Sequence, residues 1–553
     1  MPLMGSLYIG KSGLQTSQNA LNTTAHNMSN ADTVGYVRQQ VMLGTSIYNT
    51  IRVDVNAVSN QQIGLGVEYT KTRQVREYFL DKTYRQELGR CEFYTVSKDA
   101  LEEIEFLLDE MNGEAFQNSL DNLWTAVQEL TKDPSSAVTQ GLLIERCSEF
   151  LARADSVYEG LKAYQLNLNE AIQQKVDDIN DHAKKIKELN DKIRFIEVGG
   201  FEEANDLRDV RNQLVDELAG MANISYSEDI DGNICIRLEG EDLVKRDVVY
   251  EIGLDTDETT GFYTPFWIHN AKFTMDADGN RIYDITGAEV YNLEMVISSD
   301  LNTDVGSLKS TLLARGDHIA NFTDLEEGNY KNSISQSVVM NVMAEFDRLI
   351  HNIATAMNGV LEDAAEKAYA AGDKTYLRDK NGNPIQIFQK IATPGYDETH
   401  DYIEEGPPYD DPGKLYTIDN IKINQELLQQ PTLLGFVMAD DSVDFDTMTA
   451  MKATFMAENN VLNPTVKKSS NFIDYYGDLV SQIANSGSVY GSILTNQQET
   501  VDSTFSAREQ IMGVSHDEEL TNMVKFQNAY NASSRYINVI DEMLERILNT
   551  LGV

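Results

Sequence analysis

Apolar residues keep a helical rhythm at both ends of this 553-residue chain and lose it in the middle. Met523, Phe526, Tyr530, Ser533, Ile537, Ile540, Leu544, Ile547 and Leu551 step by three and four, a heptad seam sustained to the C-terminus. Ser515 with Glu518 reads as a capping box, Asp517, Glu518 and Glu519 suit the positive end of a helix, and Gly552 supplies a stop. The first residues repeat the rhythm through Leu3, Leu7, Gly10, Leu14, Ser17, Leu21, Thr24 and Met28. Alone, either seam could belong to an ordinary core helix; together they predict mutual pairing. Lys11 is the sole formal charge in residues 1–31, so the first helix lacks the charged face of a solvated one and should be enclosed by protein on several sides.

Between these ends the period changes repeatedly. The first helix should stop near Asn30, with extended segments around Ile51 to Val55 and Gly64 to Val67, and a helical body from about Val75. Leu101 to Leu130 is helical, with Trp124 on its apolar face, and Asp133-Pro134-Ser135 breaks it. Val157, Leu161, Tyr164, Leu168, Ile172, Val176, Ile179, Ala183, Ile186, Leu189 and Ile193 predict one helix of roughly 40 residues, about 60 Å long. Another follows near Phe201, with Leu207, Val210, Leu214 and Leu218 as its core stripe and its charged residues outward. After Met221 alternation takes over, as in Ile234 to Leu238 and Glu294 to Ile297, with Asp-Gly-Asn turns at Asp231 and Asp278. Val338 to about Ala371 is helical again. A loop-rich stretch then holds six of the ten prolines, an Asn381-Gly382 hairpin signal and a strand over Tyr416 to Ile423, and helix resumes from Asn471.

Composition narrows the function. The 88 acidic against 45 basic residues, net −43, disfavour nucleic acid and anionic membrane surfaces. Residues 222–330 alone carry 22 acidic and 7 basic side chains and should face solvent. No apolar run is long enough for membrane insertion, and the start lacks a signal-peptide pattern. Cys91, Cys147 and Cys235 are odd in number and widely spaced, hence buried apolar residues in place of a disulfide or metal framework. Gly64-x-Gly66 lacks the third glycine and the strand-helix setting of a nucleotide loop and reads as a tight turn. Thr274 to Ile285 departs from a calcium loop at both its first and last ligand positions, and Tyr402 to Asp411 reads as a solvated acidic loop. The seven histidines show no HxxxH or HExxH spacing and no GxSxG occurs, so neither catalysis nor a cofactor or metal is expected.

The run Asn27-Met28-Ser29-Asn30-Ala31-Asp32-Thr33-Val34-Gly35-Tyr36 resembles the N-terminal signature of bacterial flagellar rod, hook and hook-associated axial proteins, and its continuation through Arg38 resembles most the hook-associated protein 1 branch. In this turn Gly35 would take a backbone conformation closed to other residues, and Asn27 and Asn30 could hydrogen-bond it. A second stretch, Asn205, Asp206, Leu207, Arg208 through Arg211, Leu214 and Leu218, resembles a segment of that branch absent from rod and hook proteins. The resemblance implies a structural, self-assembling protein of the hook-filament junction, exported and extracellular. Its implied partners are further copies of itself in a helical array, the hook protein, the next junction protein, an export chaperone and the type III export apparatus. Alternatives are a hook or rod component, or a surface- or glycan-binding module in the middle of the chain.

The expected fold is α+β multidomain: coiled-coil-like terminal helices and a long-helix bundle with inserted, mostly β domains. Residues 1–62 with 512–553 form the terminal assembly unit, unfolded as a monomer; 63–221 with 336–372 and 445–511 form the bundle; 222–335 are the acidic β-rich insertion; 373–444 are a second loop-rich excursion.

Overall fold

The computed structural model describes residues 3–53, 60–108, 116–200, 202–275, 281–331, 334–392, 405 and 412–551. The chain leaves along helix α1 (Leu3–Ser29) and returns along α12 (His516–Leu551). After α1 come two antiparallel ribbons. Strand β1 (Gln39–Thr45) pairs with β4 (Val67–Gln74), and β2 (Tyr48–Val53) with β3 (Asn60–Gly64). Gly66 turns between them at φ +104°, as a tight turn requires.

The bundle is built from α2 (Tyr78–Leu107), α3 (Phe116–Lys132), α4 (Ala137–Glu197) and α5 (Asn205–Met221). The single helix expected over 101–130 is thus split between α2 and α3. Helix α4 has 61 residues instead of roughly 40. Its core stripe starts at Leu143, Ile144, Cys147 and Phe150, because Ser136, not a residue near Val157, caps its N-terminus by accepting from Val138 N. At 1.5 Å per residue it spans about 90 Å.

Beyond α5 lies a four-stranded antiparallel sheet in chain order, β5 (Ile224–Glu228), β6 (Ile234–Leu238), β7 (Glu241–Lys245) and β8 (Val248–Val249). Two hairpins follow: β9 (Ile252–Thr256) with β10 (Tyr263–Trp267), and β11 (Lys272–Met275) with β12 (Arg281–Asp284). The turn expected at Asp278 lies outside the described residues; the one at Asp231 is present, with Gly232 at φ +83°. Glu294 to Ile297 is not a strand but a turn and loop, since among the described residues no strand pairs with its backbone and Val296 stays exposed. Then come α6 (Ser307–Arg315), a short α7 (Glu327–Tyr330) and α8 (Val338–Ala371), capped by Ser337 at one end and left-handed Gly372 at the other. Of the strand expected over Tyr416 to Ile423 only β14 (Ile421–Ile423) forms, paired with β13 (Phe388–Lys390); a 3-10 turn over Ile418–Asn420 occupies the rest. The short α9 (Gln425–Gln429), α10 (Phe445–Met456) and α11 (Phe472–Met512) complete the body. Apart from residue 405, the acidic loop Tyr402 to Asp411 lies outside the described residues.

Two cores share one helix. The first half of α4 joins α2, α3, α8, α10 and α11 around Phe116, Phe150, Phe346 and Tyr476, whose rings meet at 4.8 to 5.4 Å centroid spacing around Phe116. The second half, from Ile172 to Ile186, packs with Val215, Leu218, Ile236, Leu243 and Trp267. Three asparagines pin the insertion's backbone to this half. Asn169 donates to Gly261 O and accepts from Tyr263 N, Asn180 does the same with Ile252 O and N, and Asn190 with Ile234 O and N, all at 2.8 to 3.1 Å. Spacings of ten and eleven residues are close to three helical turns, so the three amides lie along one face. Each offers a backbone segment the donor and acceptor of a neighbouring strand, inside a core where unpaired peptide groups are costly.

Candidate functional site

The terminal helices run antiparallel and are closest at small residues. A Cβ on Gly10 would lie 2.7 Å from Ile537 Cγ1, and one on Gly13 2.7 Å from Ser533 Oγ. In α1 the small members of the seam, Gly10, Ser17 and Thr24, are buried together with Ala20 and Asn27, whereas Leu7, Leu14, Leu21 and Met28 are half-buried. Among the described apolar residues of α12 only Ile540 is buried, and among its charged residues Glu519 is. Met523, Phe526, Tyr530, Ile537 and Leu544 are half-buried, Ile547 is 38% exposed, and Leu551 ends the helix. The pair therefore closes on its small residues and leaves its large apolar side chains partly open. Ser and Thr hydroxyls donate back to carbonyls of the preceding turn, Thr16 to Ser12 O at 2.8 Å and Ser17 to Gly13 O at 2.7 Å, which satisfies polar groups pressed against the partner helix.

One apolar feature escaped the sequence reading. Leu520, Val524, Tyr536, Val539, Met543 and Leu548 stand exposed beside the seam on α12. Leu520 to Val524 and Tyr536 through Val539 to Met543 step by three or four in the sequence, but a single heptad frame absorbed the pattern. At Ser515 half of the expected box forms: Glu518 N donates to Ser515 Oγ at 3.5 Å, while the Glu518 carboxylate turns instead to Arg38, 2.5 Å away.

Residues 27–38 make the elbow between this pair and the body. Asn27 holds the returning chain by donating to Gln39 O at 2.9 Å and accepting from Gln39 N at 3.0 Å and the Tyr36 hydroxyl at 2.8 Å. Asn30 donates to His26 O and accepts from the Thr33 hydroxyl, and Gly35 has φ +79°, open to glycine at little cost. Arg38 N donates to Met512 O at 2.8 Å, tying the elbow to the end of α11.

The α5 stretch docks on this turn. Asn205 donates to Thr72 O, Asp206 accepts from Gln39 Nε2 at 2.9 Å, and Asp209 accepts from Val37 N at 3.2 Å and Gln74 Nε2 at 2.6 Å. Two stretches far apart in sequence thus form one joint. Helix α5 faces the core differently from the expected stripe of Leu207, Val210, Leu214 and Leu218. Val210 is exposed, and Asp209 and Arg211 are buried; the inward stripe runs Arg211, Val215, Leu218, with Leu207 and Leu214 half-buried at its flank. Arg211 is drawn in because Asn190 Oδ1 and Gly232 O receive its Nη1 at 2.9 and 2.6 Å. Hydropathy counted these charges as wet because it cannot anticipate partners supplied by other elements.

An ion network locks the joint from behind. Arg508 on α11 reaches Asp81 on α2 at 2.9 Å and Asp216 on α5 at 2.7 Å, while Arg76 and Arg85 meet the same carboxylates at 2.8 and 2.6 Å. Burial alone would raise the Asp81 carboxyl, but the Arg76 hydrogen bond and the charges of Arg76, Arg508 and Arg85 hold it below the ordinary range. Asp209 lacks such a partner, with Arg76 Nη1 at 3.9 Å, and burial pushes it up to about 7 against the Val37 N–H. Among the described residues no group of His, Cys, Asp and Glu could hold a metal, and no helix is long and apolar enough to cross a membrane.

Comparison with known proteins gives three family matches in chain order. Residues 7–36 match the flagella basal body rod protein family, 101–373 the helical domain of flagellar hook-associated protein FlgK, and 510–550 the C-terminal region of the flagellar basal body rod FlgEFG proteins. Flagellar hook-associated protein 1 of Bacillus subtilis (strain 168) is 25% identical over 561 residues, covering 100% of this chain and 99% of its own. That of Escherichia coli (strain K12) is 22% identical, covering 97% and 98%. The solved flagellar hook junction protein FlgK from Burkholderia pseudomallei aligns with 57% of this chain and 47% of its own, at 16% identity and TM-score 0.38.

Proposed function

Because this chain belongs to the flagellar hook-associated protein 1 family, and so serves as a structural component of the hook-filament junction, we propose that it self-assembles there through α1 and α12. The observation that carries this reading is the half-open seam: a helix pair whose buried α1 positions are small or polar residues such as Gly10, Ser17, Ala20 and Thr24 leaves Leu7, Leu14, Leu21, Phe526, Leu544 and Ile547 for neighbouring copies to cover. Each large apolar side chain so covered contributes roughly 1.5 to 3 kcal/mol. In the assembled array the pair lies inside and the acidic insertion outside, with the hook protein on one side and the next junction protein on the other. The chain reaches that extracellular position through the type III export apparatus, held by an export chaperone.

The terminal unit of 1–62 and 512–553 is proposed as distinct from the bundle of 63–221, 336–372 and 445–511, from the insertion of 222–335 and from the excursion of 373–444. Before assembly, residues 1 to about 60 and 510 to 553 have too little cover to stay folded and settle on incorporation. Hydrogen exchange on the monomer should show unprotected amides in both segments; protection in both contradicts this. Leu544→Asp buries an unpaired carboxylate in the array, so the variant should be exported and folded in its body yet absent from the junction, with hooks left bare and flagellin shed as monomer. Normal filaments from that variant would overturn assembly through the seam.

A further inference from the structure

The Asn381-Gly382 pair sits at the tip of a turn between Arg378 and Pro384, which face each other as an isolated antiparallel bridge. Asp379 builds the turn. Its Oδ1 accepts from Asn381 N at 2.9 Å and Asn383 N at 2.8 Å, its own N–H donates to Asn383 O at 2.9 Å, and its carbonyl accepts from Gly382 N at 3.1 Å. Arg378 Nη1 adds a bond to Gly382 O at 2.6 Å. Gly382 takes φ +86°, and a Cβ built on it would meet no atom within 4 Å. Both tip residues are exposed, and the Asn381 side-chain amide makes no hydrogen bond among the described residues.

This tip holds both partners of an intramolecular reaction. The Gly382 peptide nitrogen is the atom that closes a succinimide ring onto the Asn381 side-chain carbonyl carbon, and glycine places no Cβ in its path. The nitrogen gives its proton to hydroxide and bonds to Asn381 Cγ, and the side-chain nitrogen takes up a proton and leaves as ammonia. Water then opens the ring at either carbonyl. The product at position 381 is an aspartyl residue or, where the main chain is rerouted through Cγ, an isoaspartyl residue. The other Asn-Gly pair among the described residues is closed to this chemistry. Asn358 is 6% exposed, its Nδ2 donates to Phe388 O at 2.7 Å, and its Oδ1 accepts from Ile387 N and Phe388 N at 3.0 and 3.2 Å. Gly359 lies inside α8, whose ladder engages its peptide nitrogen. A third pair, at 112–113, lies outside the described residues.

We propose that Asn381 is a site of spontaneous deamidation, with Gly382 N as the nucleophile and the Asp379 turn as the gate that sets its rate. While the turn is closed, Asp379 O holds the Gly382 N–H. The reaction proceeds when the tip opens, and its exposure lets water replace the turn's hydrogen bonds during that local opening. An isoaspartyl linkage lengthens the main chain within the turn, so Asp379 Oδ1 can no longer hold the N–H groups of positions 381 and 383 together. Asn383 is 2% exposed, and Ile385 N is bonded to Leu377 O at 2.9 Å just beyond it. Modification therefore loosens the approach to β13, whose Phe388 belongs to the first core.

Incubation of the full chain in mildly alkaline buffer, followed by peptide mapping with mass spectrometry and separation of isoaspartyl peptides, tests this. Conversion at position 381 should run at least about tenfold ahead of position 358 in the folded chain, and the gap should close in urea, where both pairs are free. Asn381→Gln should abolish the signal at that position. Asp379→Ala removes the acceptor of two tip N–H groups and should speed conversion several-fold, with position 358 unchanged. Asp379→Asn keeps a side-chain oxygen for those groups and should stay near the natural rate. Equal conversion at 381 and 358 in the folded chain overturns the site, as does none at 381 where the urea-unfolded chain converts. A rate unchanged in Asp379→Ala, or raised equally in Asp379→Asn, overturns the gate. The comparison within the natural chain decides the site even if Asp379→Ala does not fold.

Discussion

A Cβ added at Gly10 would stand 2.7 Å from Ile537 Cγ1 and 3.2 Å from Tyr536 Cδ1, closer than carbon atoms approach without displacement. Gly10→Leu should therefore spread α1 from α12 and block incorporation at the junction while leaving the circular dichroism and thermal midpoint of the body unchanged. A variant that still builds filaments would show that the pair need not close. Arg508 poses the opposite case, since its removal takes a shared partner from two carboxylates. Arg508→Met leaves Asp81 and Asp216 with one arginine each, so unfolding in urea should cost about 1.5 to 3 kcal/mol less than in the natural chain. Both residues look ordinary in the sequence. Gly10 sits in a seam position where a leucine would fit the heptad equally well, and only the distance to α12 makes it obligatory.

At the scale of elements, α4 was legible in kind and not in length. Its apolar period from Val157 onward was plain, yet the stretch from Ala137 to Ala154 carries the same period, and the break at Asp133-Pro134-Ser135 is where the helix begins. What sequence could not reveal is how the insertion is held. Asn180 counts as a polar interruption of an apolar stripe until Ile252 is found to use both ends of its amide. Asn180→Ala should leave those two peptide groups unpaired, lowering stability by about 1 to 3 kcal/mol, and Asn180→Leu should do no better despite adding apolar surface. Hydrogen exchange resolved by segment is the measurement: protection should fall at 248–256 and persist in the bundle of α3, α8 and α10.

The whole molecule carries its charge unevenly, and stability should follow pH accordingly. Burial raises Asp209 and Asp347 each to about 7, Asp347 while accepting from Phe322 N and Ile418 N. A carboxyl raised in the folded state binds its proton more tightly there than in the unfolded chain. Its contribution is thus complete below the ordinary value near 4 and is lost as pH rises through about 7. Self-repulsion at net −43 acts in the same direction. His351, lowered to about 4 by burial, acts oppositely, with stability lost as pH falls from about 6.5 toward 4. Stability should therefore fall between pH 6 and 8, by on the order of 1 kcal/mol per carboxyl, and the thermal midpoint with it, and Asp347→Asn should flatten the slope. A midpoint that climbs across this interval would contradict the assignment of these groups.

Periodicity alone determined that the two chain ends are heptad helices, that long helices frame alternating segments and that the middle of the chain is acidic, because these depend on the order of apolar and polar residues. The two motifs, Asn27 to Arg38 and Asn205 to Leu218, were also legible as strings. That they form one joint was not, since Asp209 meets Val37 only after the chain folds back across a separation of 172 positions. Tertiary structure alone decided which polar residues are interior. Arg211 and Asp209 read as outward by hydropathy and are buried because backbone and side-chain partners from distant elements replace water around them, a pairing that local pattern does not contain.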